Sequence, residues 1–208
     1  MELITQSNNL NDYIECSEVI DCNEYEIQEI AKNLSQGIEN EIDLIKTVYE
    51  FVRDEIRHSS NVGENTITWK ASDVLKYKQG LCFANSHLLA AILRSLEIPA
   101  GFCYQQLKFD QGFGLHGFNA VYVKSLHKWV RLDARGNENG INAQFSLDEE
   151  ILAYKVNEEK GEFDFPIIYA EPDQKVIEIL KNSQNLDMVI QKVISINWLP
   201  ELMYIYGL

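Results

Sequence analysis

Apolar residues at Ile42, Ile45, Val48, Tyr49, Val52 and Ile56 recur at i, i+3, i+4 and i+7, with charged residues on the opposite side. That spacing predicts an amphipathic helix from Asn40 to Arg57. A shorter set, Ile27, Ile30, Ala31 and Leu34, predicts an earlier helix ending near Gly37. A third segment has a different pattern. Leu88, Leu89, Ala91, Ile92, Leu93 and Leu96 leave little room for a solvated face, so this helix should be mostly buried. It opens at Gly80-Leu81-Cys82-Phe83-Ala84-Asn85 and stops before Pro99. Just upstream, Ser72 and Asp73 can cap a short helix through Val74 and Leu75 that ends at Gly80.

Beyond Pro99 the pattern changes to strands. Phe102-Cys103-Tyr104 and its neighbours read as one strand, followed by a glycine-rich loop at Asp110-Gln111-Gly112-Phe113-Gly114. That loop lacks a P-loop lysine, so it is weak evidence for phosphate binding. His116 to Val123 and Lys128 to Asp133 form a hairpin through Lys124-Ser125-Leu126-His127. Arg135 to Gly140 is a turn-rich loop, and Ser146 with Glu149 makes a capping box that predicts a helix start. Residues 172–196 predict one or two helices after Pro172, and the apolar tail Trp198 to Tyr206 should dock on the body or bind a partner. The chain shows no internal repeat. The fold class expected is α+β, with a buried helix, antiparallel strands and further helices at both ends.

Composition narrows the function classes. A net charge of −14 and a pI near 4.7 disfavour nucleic acid and anionic membrane surfaces as partners, since both need clustered Lys and Arg. No stretch reaches the roughly 20 apolar residues of a membrane span, and Met1 to Asn9 lacks the features of a signal peptide. A cytoplasmic protein is therefore expected. Its four cysteines, at 16, 22, 82 and 103, are too few and irregular for a disulfide framework and match no zinc spacing. They are expected as reduced thiols, with Cys103 in the core and no metal at Cys16 or Cys22.

Cys82 is the candidate nucleophile. At a helix N-terminus, unsatisfied N–H groups and the positive end of the macrodipole favour the thiolate. The same N–H groups can stabilise an oxyanion. A thiol nucleophile needs a base and a group to orient that base, and the hairpin offers His116 and Asp133, 17 residues apart. With a two-residue turn the pair stand directly opposite. A four-residue connection leaves them diagonal but still on one face. Of the other histidines, His58 reads as a structural cation at a helix C-terminus. His87 lies about 500° around the helix from Cys82, and His127 sits in the hairpin turn, so neither is expected to act as base.

The segments Gly80-Leu81-Cys82, Leu89 to Ala100, His116 to Val123, Trp129-Val130 and Leu132-Asp133, with Ser72-Asp73-Val74-Leu75 upstream, resemble the transglutaminase-like family of the papain-like superfamily. The resemblance spans about residues 42–135. The length of 208 residues favours a single domain over 1–208, with a core plus a small appendage as the alternative, and the resemblance sets its core between an N-terminal helical extension (1–41) and a C-terminal extension (136–208). The resemblance also implies a papain-like core with the nucleophile helix packed on an antiparallel sheet, and maps Cys82, His116 and Asp133 onto the family's triad. The chemistry implied is acyl transfer from an amide of a peptide or protein substrate through a thioester, passed to water or an amine, and needing no cofactor or metal; the absence of dense acidic loops from the sequence argues against calcium activation. Trp69, Tyr77 and Gln79 are the candidates for a second oxyanion donor. Two positions depart from the family pattern: Glu97 replaces the usual glycine before Ile98-Pro99, and Gly101 stands where an arginine is common. The loops at residues 59–70, 105–115 and 134–146 would frame a cleft. A rival reading is a catalytically silent domain that binds a protein or peptide. A Cys/His metal-binding protein is a further rival, disfavoured by the wide separation of the histidines.

Overall fold

The computed structural model describes residues 1–62, 66–196 and 198. Strand β1 (Ile4–Thr5) leads through a 3-10 turn at Leu10–Tyr13 to α1 (Tyr25–Ser35) and α2 (Glu41–Glu55). Then follow β2 (Arg57–His58), α3 (Ser59–Val62), α4 (Ala71–Tyr77), β3 (Gln79–Gly80) and α5 (Cys82–Ser95). The sheet strands are β4 (Ala100–Phe109), β5 (Gly112–Val123) and β6 (Lys128–Leu132). The C-terminal extension adds β7 (Phe163–Asp164), β8 (Ile167–Ile168), α6 (Gln174–Lys181) and α7 (Leu186–Ser195).

Helix α2 forms where the periodicity places it. The Asn40 side chain caps it by accepting from the N–H groups of Ile42 and Asp43, and Ile45, Val48, Tyr49 and Val52 turn inward. Helix α5 is the centre of the molecule, with every residue from Phe83 to Arg94 buried. It ends in a Schellman motif: Ile98 N–H donates to the Leu93 carbonyl and Glu97 N–H to that of Arg94. Glu97 takes the left-handed conformation there, at φ +59°, which explains why glycine is usual at this position.

Helix α5 lies against an antiparallel sheet of order β6-β5-β4-β7. The glycine-rich segment expected as a loop is mostly strand. Gly112 pairs with Phe109, so only Asp110 and Gln111 turn the chain. Strands β5 and β6 pair Val123 with Lys128, which makes the connection four residues long. The Ser146 hydroxyl does accept from Glu149 N–H, but no helix follows it. Residues 172–196 form two helices.

Two buried arginines tie the extensions to the core. Arg94 on α5 donates to the carbonyls of Glu15, Ala100 and Ala170 and pairs with Glu171. Arg131 on β6 pairs with Glu150 and Asp164. At Gly101 a Cβ would stand 2.6 Å from Ile168 Cγ2 and 2.8 Å from the Tyr169 carbonyl oxygen, so the C-terminal extension fills the space of a larger residue. Cys16 and Cys22, expected as separate thiols, are joined in a disulfide, with Cα atoms 5.3 Å apart. Cys82 and Cys103 are free. Trp198 is buried and its Nε1–H donates to the Val193 carbonyl; the rest of the apolar tail lies outside the described residues.

Candidate active site

Cys82 is the first residue of α5. Its N-cap, Leu81, is extended and supplies no side-chain hydrogen bond, so the first-turn N–H groups are not consumed by a capping side chain. His116 reaches this helix from β5. At the neighbouring Gly117 a Cβ would stand 2.6 Å from Phe83 Cδ1, so only glycine lets the second residue of α5 lie this close to the strand. In the observed register Asp133, just past β6, lies diagonal to His116 on the same face.

His116 Nε2 is 2.8 Å from Asp133 Oδ2, and both side chains are buried. The Asp133 carboxylate also accepts from the backbone N–H of Ala153 and of Arg135. Burial alone would favour its neutral form, but His116 and these N–H groups hold its pKa below the usual carboxylate value. An ionised Asp133 keeps the proton on Nε2, which leaves Nδ1 to exchange a proton with Cys82. Burial opposes ionisation of Cys82. The charge on His116 and hydrogen bonds with His116 and His58 outweigh it and bring the thiol down to about 5. Burial likewise disfavours a charged His116, yet Asp133 and the Cys82 thiolate raise its pKa to about 10. Between those values the pair exists as thiolate and imidazolium.

These groups open into a cavity of about 370 Å³. Of the segments 59–70, 105–115 and 134–146 expected to frame a cleft as loops, Ser60, Phe109–Gln111, Gly114, Leu115 and Arg135 line it, mostly from strands and a helix, and the wall also includes His58, Tyr154 and the α7 residues Val189, Ile190, Val193 and Ile194. Tyr154 meets His116 edge-on, with centroids 4.9 Å apart. The three expected oxyanion donors lie elsewhere. Trp69 is sandwiched near Lys70 and Lys181, Tyr77 is about half exposed, and the buried Gln79 does not reach the cavity wall. The residue that does stand at Cys82 is His58. Its strand β2 pairs in parallel with β3, setting His58 opposite Gly80, and its Nδ1 meets the Ser60 hydroxyl at 2.7 Å.

His58, expected as a structural cation at the end of α2, instead lies in β2 beside Cys82, and neither Tyr154 nor the helix expected within 172–196 was signalled by the sequence as part of the site. Nothing in local periodicity signals a two-residue parallel pairing or a helix returning from a distant extension. Arg135 was legible only as a turn residue, although it stands two positions after Asp133. His87 and His127 stay out of the site: His87 Nδ1–H donates to the Trp69 carbonyl, and His127 is an exposed turn residue. Among the described residues, no group of three or more His, Cys, Asp or Glu side chains is arranged to hold a metal ion.

Among solved structures, a candidate cysteine protease from Cytophaga hutchinsonii is similar in fold, with a TM-score of 0.51 and 20% identity, covering 64% of this chain and 46% of that one. The periplasmic domain of TgpA from Pseudomonas aeruginosa gives a TM-score of 0.42 and 14% identity, covering 52% of this chain and 42% of that one. The chain thus spans less than half the length of either. No curated protein sequence gives a significant match. The model of the transglutaminase-like superfamily matches residues 28–134, just over half of the chain, and takes in α5 and the hairpin that carries His116 and Asp133. The protein belongs to the transglutaminase-like superfamily.

Proposed function

We propose that the protein is a cysteine-dependent enzyme of acyl transfer or amide hydrolysis, acting on a peptide or protein. The observation that carries this reading is the buried His116, hydrogen-bonded to Asp133 at 2.8 Å on one side and to the Cys82 thiol on the other. The Cys82 thiolate attacks the carbonyl carbon of the substrate amide. Negative charge develops on the carbonyl oxygen, where the first N–H groups of α5 and the His58 ring can donate. His116, protonated at Nδ1, gives that proton to the departing amine as the C–N bond breaks, leaving a thioester on Cys82. Water or a second amine, deprotonated by the same nitrogen, attacks the thioester and releases the thiolate. Asp133 holds the imidazole and stabilises its charge throughout. The Cys16–Cys22 disulfide favours an oxidising setting over the cytoplasm as the place of action.

The test is the rate of iodoacetamide alkylation of Cys82 between about pH 5 and 9, read by mass spectrometry, in the wild type and in His116→Ala. Cys103 serves as the internal control, because burial pushes its pKa far up. On this reading, wild-type Cys82 labels rapidly and almost independently of pH above about 6, and His116→Ala restores a steep rise with pH. Labelling of Cys82 only above about pH 8 in the wild type would remove the nucleophile and leave a peptide-binding module.

A further inference from the structure

Three arginines are buried among the described residues: Arg94, Arg131 and Arg135. The first two are fully provided for, Arg94 by three backbone carbonyls and Glu171, and Arg131 by Glu150 and Asp164. Arg135 is different. Only 8% of it is exposed, its Nη1 is buried without a hydrogen-bond partner, and no carboxylate pairs with its guanidinium among the described residues. Its backbone N–H is used by Asp133, and its side chain lies against the Tyr154 ring, with Cζ 5.7 Å from the centroid. A buried cation without an anion is costly, and the same fold supplies acceptors to the other two. The exception is also the one of the three that lines the Cys82 cavity.

We infer that Arg135 is the anchor for a carboxylate of the substrate, beside an apolar group seated on the α7 wall. The inference rests on the cysteine-enzyme reading for the role of the site. Tyr154 neighbours both Arg135 and His116, its ring centroid 5.7 Å from Arg135 Cζ and 4.9 Å from the His116 ring, so a carboxylate on Arg135 lies within about three extended residues of the reacting carbonyl. Val189, Ile190 and Val193 of α7 with Phe109 make the facing wall apolar, and 370 Å³ suits one or two residues of a peptide. Two sources share this chemistry: the α-carboxylate at a peptide C-terminus and the side chain of an acidic residue. A planar guanidinium reads both in the same bidentate way.

The test uses the intact protein with two kinds of probe. In thermal unfolding, N-acetyl-leucine should stabilise the wild type while N-acetyl-leucinamide does not, and the difference should vanish in Arg135→Gln. N-acetyl-glutamic acid α-amide, which carries its carboxylate on the side chain, separates the two sources: the acid that stabilises more names the source. Independently, the ratio of iodoacetate to iodoacetamide labelling rates at Cys82 should fall about tenfold in Arg135→Gln and recover in part in Arg135→Lys. His116 attracts the anion in all three proteins, so the change belongs to Arg135. Stabilisation of the wild type by neither N-acetyl-leucine nor N-acetyl-glutamic acid α-amide beyond that given by N-acetyl-leucinamide overturns the inference, even should Arg135→Gln fail to fold. An unreactive Cys82 with carboxylate stabilisation intact would overturn the enzyme reading and leave the anchor standing.

Discussion

His58 stands opposite Gly80 across the two-residue parallel pairing of β2 and β3, which sets its imidazole beside Cys82, two residues further on. Replacing it tests whether it serves the oxyanion or only the thiolate. His58→Ala should lower the turnover of p-nitrophenyl acetate by about a hundredfold, the scale of losing one oxyanion donor. The alkylation pH profile of Cys82 should move much less, because the charge on His116 dominates it. A large shift of that profile with little loss of turnover would give His58 to the thiolate alone.

Burial pushes the pKa of His87 down to about 4, against 6.5 in an unfolded chain, so the folded protein holds it neutral. Between those values the unfolded state binds the extra proton, and stability therefore falls as the pH drops from about 6.5 to 4. The full effect is about 3 kcal/mol at 1.36 kcal/mol per unit. His87→Asn should flatten this part of the curve of unfolding free energy against pH, measured in urea, at some cost at neutral pH. An unchanged acid slope would place the sensitivity elsewhere.

Glu97 occupies the left-handed position that closes α5. Its backbone hydrogen bonds do not need its side chain, and the residue is exposed. Glu97→Gly should therefore stabilise the fold by about 0.5–1 kcal/mol, seen as a higher urea midpoint at constant slope. A loss of stability would mean that the side chain makes up for the strain.

The Cys16–Cys22 disulfide closes a short loop, with a sequence separation of 6, ahead of α1. Loop-closure entropy for that length predicts a contribution of about 2 kcal/mol. Reduction with dithiothreitol, or a Cys16→Ser/Cys22→Ser double variant, should lower the unfolding free energy by that amount. Cys82 alkylation should keep its pH profile, because neither residue touches the cavity. Equal stability before and after reduction would assign both cysteines to simple packing.

Helices with long-range periodicity were legible from the residues alone. The α2 stripe and the all-round apolarity of α5 each have one burial solution, and hydrophobic spacing encodes it directly. The hairpin, and with it the shared face of His116 and Asp133, followed from period-two alternation. Where local chemistry competed with tertiary context, context prevailed. Ser146 and Glu149 made their capping bond without a helix, and the glycines after Gln111 entered a strand because β4 was there to pair with them.

The sequence by itself determined which helix is buried, which cysteine opens it and which histidine and aspartate share a face, because periodicity and turn length encode these locally. Tertiary structure alone decided that His58 reaches Cys82 through a strand pairing two residues long, that α7 walls the cavity, and that Arg135 lies buried in that wall with its Nη1 unpartnered. Each of these depends on contacts between segments far apart in the chain. Such contacts are selected by the packing of the whole molecule, and no local pattern of residues records them.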